Sequence, residues 1–205
     1  MDIRAVTRGI DLDELEQAYR TGLFPMADSR TGLITWRRPS RRAIIPLDAF
    51  LISRSLARRL RRGDFQITCD RAFDEVIAAC ADRGPGEETW ISDHVRAAYV
   101  ELHRLGKAHS LEVWVDGILA GGIYGVHLGG AFFAESKFHR VRDMSKVALA
   151  RLVERLRQRG FALLDVQYLT PHLRRLGAVE VPHRRYKEML EAALQHNRGF
   201  LDCED

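Results

Sequence analysis

GGIYGVHLGGAFFAESKFHRVRDMSK, residues 121–146, decides the fold. Apolar residues alternate on both sides of Gly129-Gly130, which reads as two strands joined by a hairpin turn. A basic loop follows, and a helix begins near Met144. Just upstream, His109–Val115 alternates with Leu111, Val113 and Val115 on one face, and Asp116-Gly117 is a second hairpin signal. Downstream, Leu149, Leu152, Val153 and Leu156 give one helical face that Gly160 ends. Phe161–Leu169 reads as a strand, Thr170-Pro171 as the start of a short helix, Val179–Val181 as a short strand and Tyr186–Gln195 as a closing helix. A meander followed by helix, strand, helix and strand is an α+β layout.

The N-terminal part is smaller and more broken. Asp11 caps a helix over Leu12–Arg20 that Gly22 and Pro25 end. Short strands are expected at Ile34–Trp36 and Ala43–Ile45. Residues 50–62 read as a helix, with Leu51 or Ile52, Leu56 and Leu60 as its apolar stripe. Residues 65–68 alternate as a strand. Asp70 then caps a helix bearing Phe73, Val76, Ile77 and Cys80, and Ser92 caps the next. Gly84-Pro85-Gly86 between them is a flexible loop. The pattern allows, without compelling, a boundary near residues 62–65, between an N-terminal domain, 1–62, and a C-terminal one, 63–205.

Apolar residues make up 46% of the 205 and charged residues 29%, as in an ordinary globular chain. No apolar run approaches a membrane span, and MDIRAVTRGIDLDEL has no signal-peptide core, so a cytoplasmic protein without membrane contact is expected. The net charge of +4 hides an asymmetry: residues 37–62 hold nine arginines and one acid, leaving the remainder at −4. Such a field attracts a polyanion, nucleic acid first; the other reading is a solvated helix face. Cys69, Cys80 and Cys203 show neither metal nor disulfide spacing, and the first two read as core hydrophobes. The eight histidines show no ligand spacing either; His172 falls near the Asp165 strand. No metal and no cofactor is expected.

Three glycines within one strand, Gly121, Gly122 and Gly125, suggest either a cleft floor or a sheet bend. Glu135 and Asp165 each sit in an otherwise apolar strand, so each must find a partner or water. Alternation puts Gln167 on the face of Asp165. If the three converge, one carboxylate becomes a base near neutrality. The alternative is that each acid pairs separately with an arginine.

AYRTGLFPM (18–26), WRRPSRRAII (36–45), ISRSLARRLRR (52–62), TWIS (89–92), AYVELHRLGKAHSLEVW (98–114), GGIYGV (121–126), ESKFHR…SK (135–146) and DVQYLTPHLRRLGAVEVPHRRY (165–186) occur in this order over nearly the whole chain. Together they resemble the leucyl/phenylalanyl-tRNA–protein transferase family. The resemblance implies a GNAT-type acyltransferase-like C-terminal domain behind a small N-terminal α/β domain. It implies transfer of Leu, Phe or, less well, Met from aminoacyl-tRNA to an N-terminal Arg or Lys, marking the acceptor for N-degron degradation. It assigns catalysis to Asp165 and Gln167 with support from Glu135, and the aminoacyl pocket to Ile123, Phe132, Leu152, Leu156 and Leu164. Trp90 falls near the tRNA end, and Arg54, Arg58, Arg59, Arg61 and Arg62 form the patch for the acceptor arm. A monomer is expected.

The chain also departs from the family pattern. Lys137 and His139 stand where Met and Ser are common, and Leu152 and Leu156 where aromatics are frequent. Trp36-Arg37-Arg38-Pro39 is more basic than usual, and the glycine-rich leader that usually precedes the first helix is missing. Two rival readings are an acetyl-CoA N-acetyltransferase and a non-catalytic or altered-specificity tRNA-binding relative. Against the first, the turn 137–143 has no glycine to cradle a pyrophosphate, and its cations suit the scattered phosphates of an RNA end. Against the second, the acidic pair and Gln167 are all present.

Overall fold

A computed structural model describes residues 2–84 and 86–201; Pro85 and Cys203 lie outside the described residues. In chain order come β1 (Ile3–Thr7), α1 (Leu12–Arg20), β2 (Phe24–Ala27), β3 (Ile34–Arg37) and β4 (Arg41–Ile44). Then follow α2 (Arg54–Arg62), β5 (Gln66–Cys69), α3 (Phe73–Ala81), α4 (Asp93–Arg104), β6 (Ala108–Val115), β7 (Ile118–Leu128) and β8 (Ala131–His139). The chain closes with α5 (Met144–Gln158), β9 (Leu163–Asp165), α6 (Pro171–Arg174), β10 (Val179–Pro182) and α7 (His183–Leu194). Asp11 caps α1, accepting from the Asp13 and Glu14 amides at 3.0 Å, and Ser92 caps α4.

Among the described residues β1, β3 and β2 form a small sheet, and the large sheet runs β10-β4-β9-β8-β7-β6-β5. Strands β5 to β8 are an antiparallel meander, and α5 carries the chain over to β9, parallel to β8. One core cluster joins α1, α3, α4 and α7 to the sheet; a second lies around α5. The division expected at residue 62 cuts through the large sheet, because β4 lies between β10 and β9.

Four local expectations change. The helix expected over 50–62 starts at Arg54 behind the Ser53 cap. Leu51 and Ile52 are exposed ahead of it, and the Leu51 amide bonds to the Leu176 carbonyl, which holds this stretch extended. Asp70 is no cap: at φ 57° it turns its carboxylate to the Ser110 amide (2.7 Å) and to His109 Nδ1 (2.6 Å). The strand expected over 161–169 shrinks to Leu163–Asp165, since Gln167 takes φ 56°. The glycines floor no cleft. A Cβ on Gly121 would meet Met144 at 2.6 Å, and one on Gly125 the Phe133 carbonyl at 2.2 Å. They let α5 and β8 approach β7, which is the sheet-bend reading.

Candidate active site

Strand β8 breaks register where it matters. Tyr124 faces Ser136 and Gly125 faces Ala134, so Glu135 is the extra residue of a β-bulge. The bulge turns Glu135 out of the ladder toward the end of β9. There its Oε1 accepts from Gln167 Nε2 at 2.9 Å and its Oε2 from the Tyr99 hydroxyl at 3.2 Å. Tyr19 is hydrogen-bonded in turn to Tyr99, hydroxyl to hydroxyl. Burial raises the Glu135 carboxyl to about 7; the tyrosine hydrogen bonds oppose the rise and the Asp165 charge adds to it.

Asp165 lives differently. It is fully buried, and Arg42, 1% exposed, grips both its oxygens through Nε at 2.9 and 3.0 Å and through Nη2 at 2.7 Å. Tyr186 donates to Oδ2 at 2.5 Å and the Gln167 amide to Oδ1 at 2.8 Å. These donors occupy the carboxylate from every side. The guanidinium lies between the rings of Phe24 (4.4 Å) and Tyr186 (4.9 Å), and its Nη1 donates to the Gly22 carbonyl. Asp165 and Gln167 do come together, through the left-handed turn at Gln167 and not through strand alternation. Of the two acids one has taken an arginine; the other is held by neutral donors.

Glu135 and Gln167 open on a cavity of about 250 Å³, walled by Ile123, Ala134, Leu149, Val166 and Leu173 and edged by Arg83 and Lys137. Gln167 Oε1 has no partner among the described residues. Of the expected aminoacyl pocket, Ile123 lines this cavity; Phe132, Leu152, Leu156 and Leu164 are enclosed with it in the second core cluster and do not reach the opening. Trp90 packs half-buried on the first cluster, its carbonyl bonded to the Ala27 amide, and does not line the cavity. His172 lines a neighbouring basic cavity instead. On α2, Arg54, Arg58 and Arg61 are exposed with no ion pair to a described residue, whereas Arg59 and Arg62 bind Asp64 at 3.0 and 2.8 Å. No cluster of three or more possible metal ligands occurs among the described residues.

Sequence reasoning missed Arg42, Tyr19, Tyr99 and Tyr186 as site residues. The available signal was weak: Arg42 precedes Ala43-Ile44-Ile45 in a strand, where a charged side chain facing inward needs a partner.

An antiparallel meander, a bulge in its last strand, and a helical crossover to a parallel neighbour carrying the polar pair define a GNAT-type acyltransferase fold. Among solved structures, a ribosomal-protein-alanine N-acetyltransferase from Brucella melitensis biovar Abortus covers 53% of this chain and 83% of its own, with 18% identity and a TM-score of 0.39. Likeness at that level fixes neither substrate nor cofactor. Within that class the chain belongs to the leucyl/phenylalanyl-tRNA–protein transferase family and is an aminoacyltransferase: the model of that family matches residues 44–191. A leucyl/phenylalanyl-tRNA–protein transferase of Chlorobaculum parvum is 53% identical over 193 residues, spanning 94% of this chain and 100% of that protein. One from Ruegeria pomeroyi is 56% identical over 187 residues, spanning 91% and 88%.

Proposed function

We propose that this enzyme moves leucine, phenylalanine and, less well, methionine from aminoacyl-tRNA to the N-terminal Arg or Lys of acceptor proteins in the cytoplasm, marking them for N-degron degradation. The observation that carries the reading is Glu135, a carboxylate raised to about 7, beside Gln167 at the mouth of a small cavity with an aliphatic wall. At about 250 Å³ the cavity is below the ~300–1,000 Å³ of pockets for drug-sized ligands and suits one amino-acid side chain. No helix among the described residues is long and apolar enough to cross a membrane.

The donor is an activated ester, so no serine or cysteine nucleophile is needed. The acceptor's α-amine has a pKa of ~8, within reach of a carboxylate at about 7. Glu135 takes the ammonium proton, and Gln167, fixed by Glu135 on one side and Asp165 on the other, accepts from the amine through Oε1. The amine nitrogen bonds to the ester carbon, the carbon–oxygen bond to the ribose breaks, and the ribose oxygen leaves with a proton. Asp165 touches no substrate; it acts through the backbone of Gln167 as a positioning residue. Ionised Glu135 also favours a cationic acceptor residue. The exposed arginines of α2, within the basic segment of residues 1–62, meet the acceptor arm.

The test offers mixed charged tRNAs and peptides with varied N-termini. Leu and Phe should appear on peptides beginning with Arg or Lys. Transfer of other amino acids only, or onto other N-termini only, would overturn the substrate assignment.

A further inference from the structure

A second cavity, about 540 Å³, lies beside the first, between the end of α3 and the turn joining β8 to α5. Arg83, Lys137, Arg142 and Lys146 line it against two carboxylates, Asp82 and Asp143. Asp143 is spent on Lys146 at 2.6 Å and on Arg142 at 3.9 Å. Arg83 and Lys137 have no ion pair with a described residue, and both also edge the reactive cavity. Lys137 is lowered by burial, with Arg83 adding to the fall and Cys80 opposing it. His172 on the far wall is lowered by burial and then by Lys137, Lys146, Arg175 and His139. The space therefore carries a positive field that the protein leaves unbalanced. The first turn of α5 opens beside it without a side-chain cap on its amides.

We propose that this cavity seats a backbone phosphate of the RNA strand whose 3′ end carries the aminoacyl ester. The proposal rests on the aminoacyl-tRNA reading above and assigns Arg83, Lys137, Arg142 and Lys146 to the strand's last nucleotides, with Arg59 of α2 reaching the adjoining start of α5 at Met144. The placement fits the chemistry. A terminal nucleotide's 5′ phosphate lies one sugar away from the ester on its 2′ or 3′ oxygen, and Lys137 follows Glu135 by two residues. With no glycine in the turn 137–143, a tight pyrophosphate cradle is not built.

The experiment compares two donors, aminoacyl-adenosine without phosphate and an aminoacyl-CCA trinucleotide. In Lys137→Met the KM for the trinucleotide should rise about tenfold more than that for aminoacyl-adenosine, with kcat for the two donors changing alike. Arg142→Gln, at a side chain 96% exposed and safe for folding, should raise the trinucleotide KM about threefold. In parallel, anisotropy with an uncharged CCA-ending oligonucleotide should show weaker binding in both variants and a salt slope shallower by about 0.7 per lost contact. Equal losses for the two donors, or unchanged oligonucleotide binding, would overturn the subsite. So would coenzyme A displacing the oligonucleotide and losing affinity in the same variants. Should neither donor support transfer, the aminoacyl reading fails while the oligonucleotide arm still decides the phosphate site.

Discussion

Asp165 and Glu135 are carboxylates on neighbouring strands of one sheet, and their surroundings are opposite. Asp165 is sealed under Arg42, Tyr186 and the Gln167 amide with no exposure. Glu135 stands on a bulge, faces a cavity and is held by neutral donors, Tyr19, Tyr99 and Gln167. A cation and several donors enclose one carboxylate, whereas burial among neutral donors raises the other to about 7, where it can gain and lose a proton. The difference separates anchoring from chemistry, and Gln167 is the residue that touches both. Its backbone belongs to the sealed side and its side chain to the open one.

The largest effect should come from breaking the sealed side. Asp165→Ala orphans a buried guanidinium, and a cost of about 3–5 kcal/mol is expected in urea unfolding, with transfer lost because Gln167 is no longer held. Full activity in that variant would dissolve the distinction between the two sides. Next comes Glu135→Gln, in which transfer should fall about 100-fold, the low end for a base whose proton is already labile. Its stability should move the opposite way. The folded carboxyl, raised from 4.5 to about 7, binds its proton more tightly than the unfolded one, so stability is lost as pH rises through that window. Glutamine does not titrate, so Glu135→Gln should be more stable than the parent at pH 8 by about 1–3 kcal/mol. Equal stability at pH 8 would mean that Glu135 is not desolvated. Gln167→Ala, which keeps the backbone anchor and removes the amide, should slow transfer about tenfold with little change in melting temperature.

How far these two sides could be read from sequence follows from the range of the forces involved. The hairpins at Asp116-Gly117 and Gly129-Gly130, the helices α1, α4 and α5 and the α+β order are local: alternation, caps and turns a few residues long set them. The helix expected from residue 50 begins four residues later, at Arg54, because Leu51 is held extended by a bond to Leu176, far along the chain. Glu135, Asp165 and Gln167 stood out as polar residues in apolar strands, but the reason they meet did not. The bulge depends on the close fit of Gly125 to Phe133, and the left-handed turn at Gln167 on the Asp165 carboxylate that its amide reaches. Arg42 meets Asp165 across 123 residues, and nothing near either one announces the other. Tyr99 is buried on α4, and nothing local to it announces that its hydroxyl meets Glu135, 36 residues on.

The smallest effect is also the sharpest probe of the contrast. Tyr99→Phe removes one of the two tyrosine hydrogen bonds that hold the Glu135 carboxyl down against burial. Its pKa should therefore move up, and the acid limb of the pH–rate profile should shift to higher pH by less than about one unit. Transfer at pH 8.5, where Glu135 is ionised in both proteins, should change least. Tyr186→Phe is the matched substitution on the sealed side, removing the hydroxyl that donates to Asp165. There Arg42 still holds the charge, so a loss of about 1 kcal/mol in stability is expected with no movement of the limb. If both variants moved the limb equally, the separation of roles between the two carboxylates would fail. If only Tyr99→Phe moves it, the proton that matters resides on Glu135.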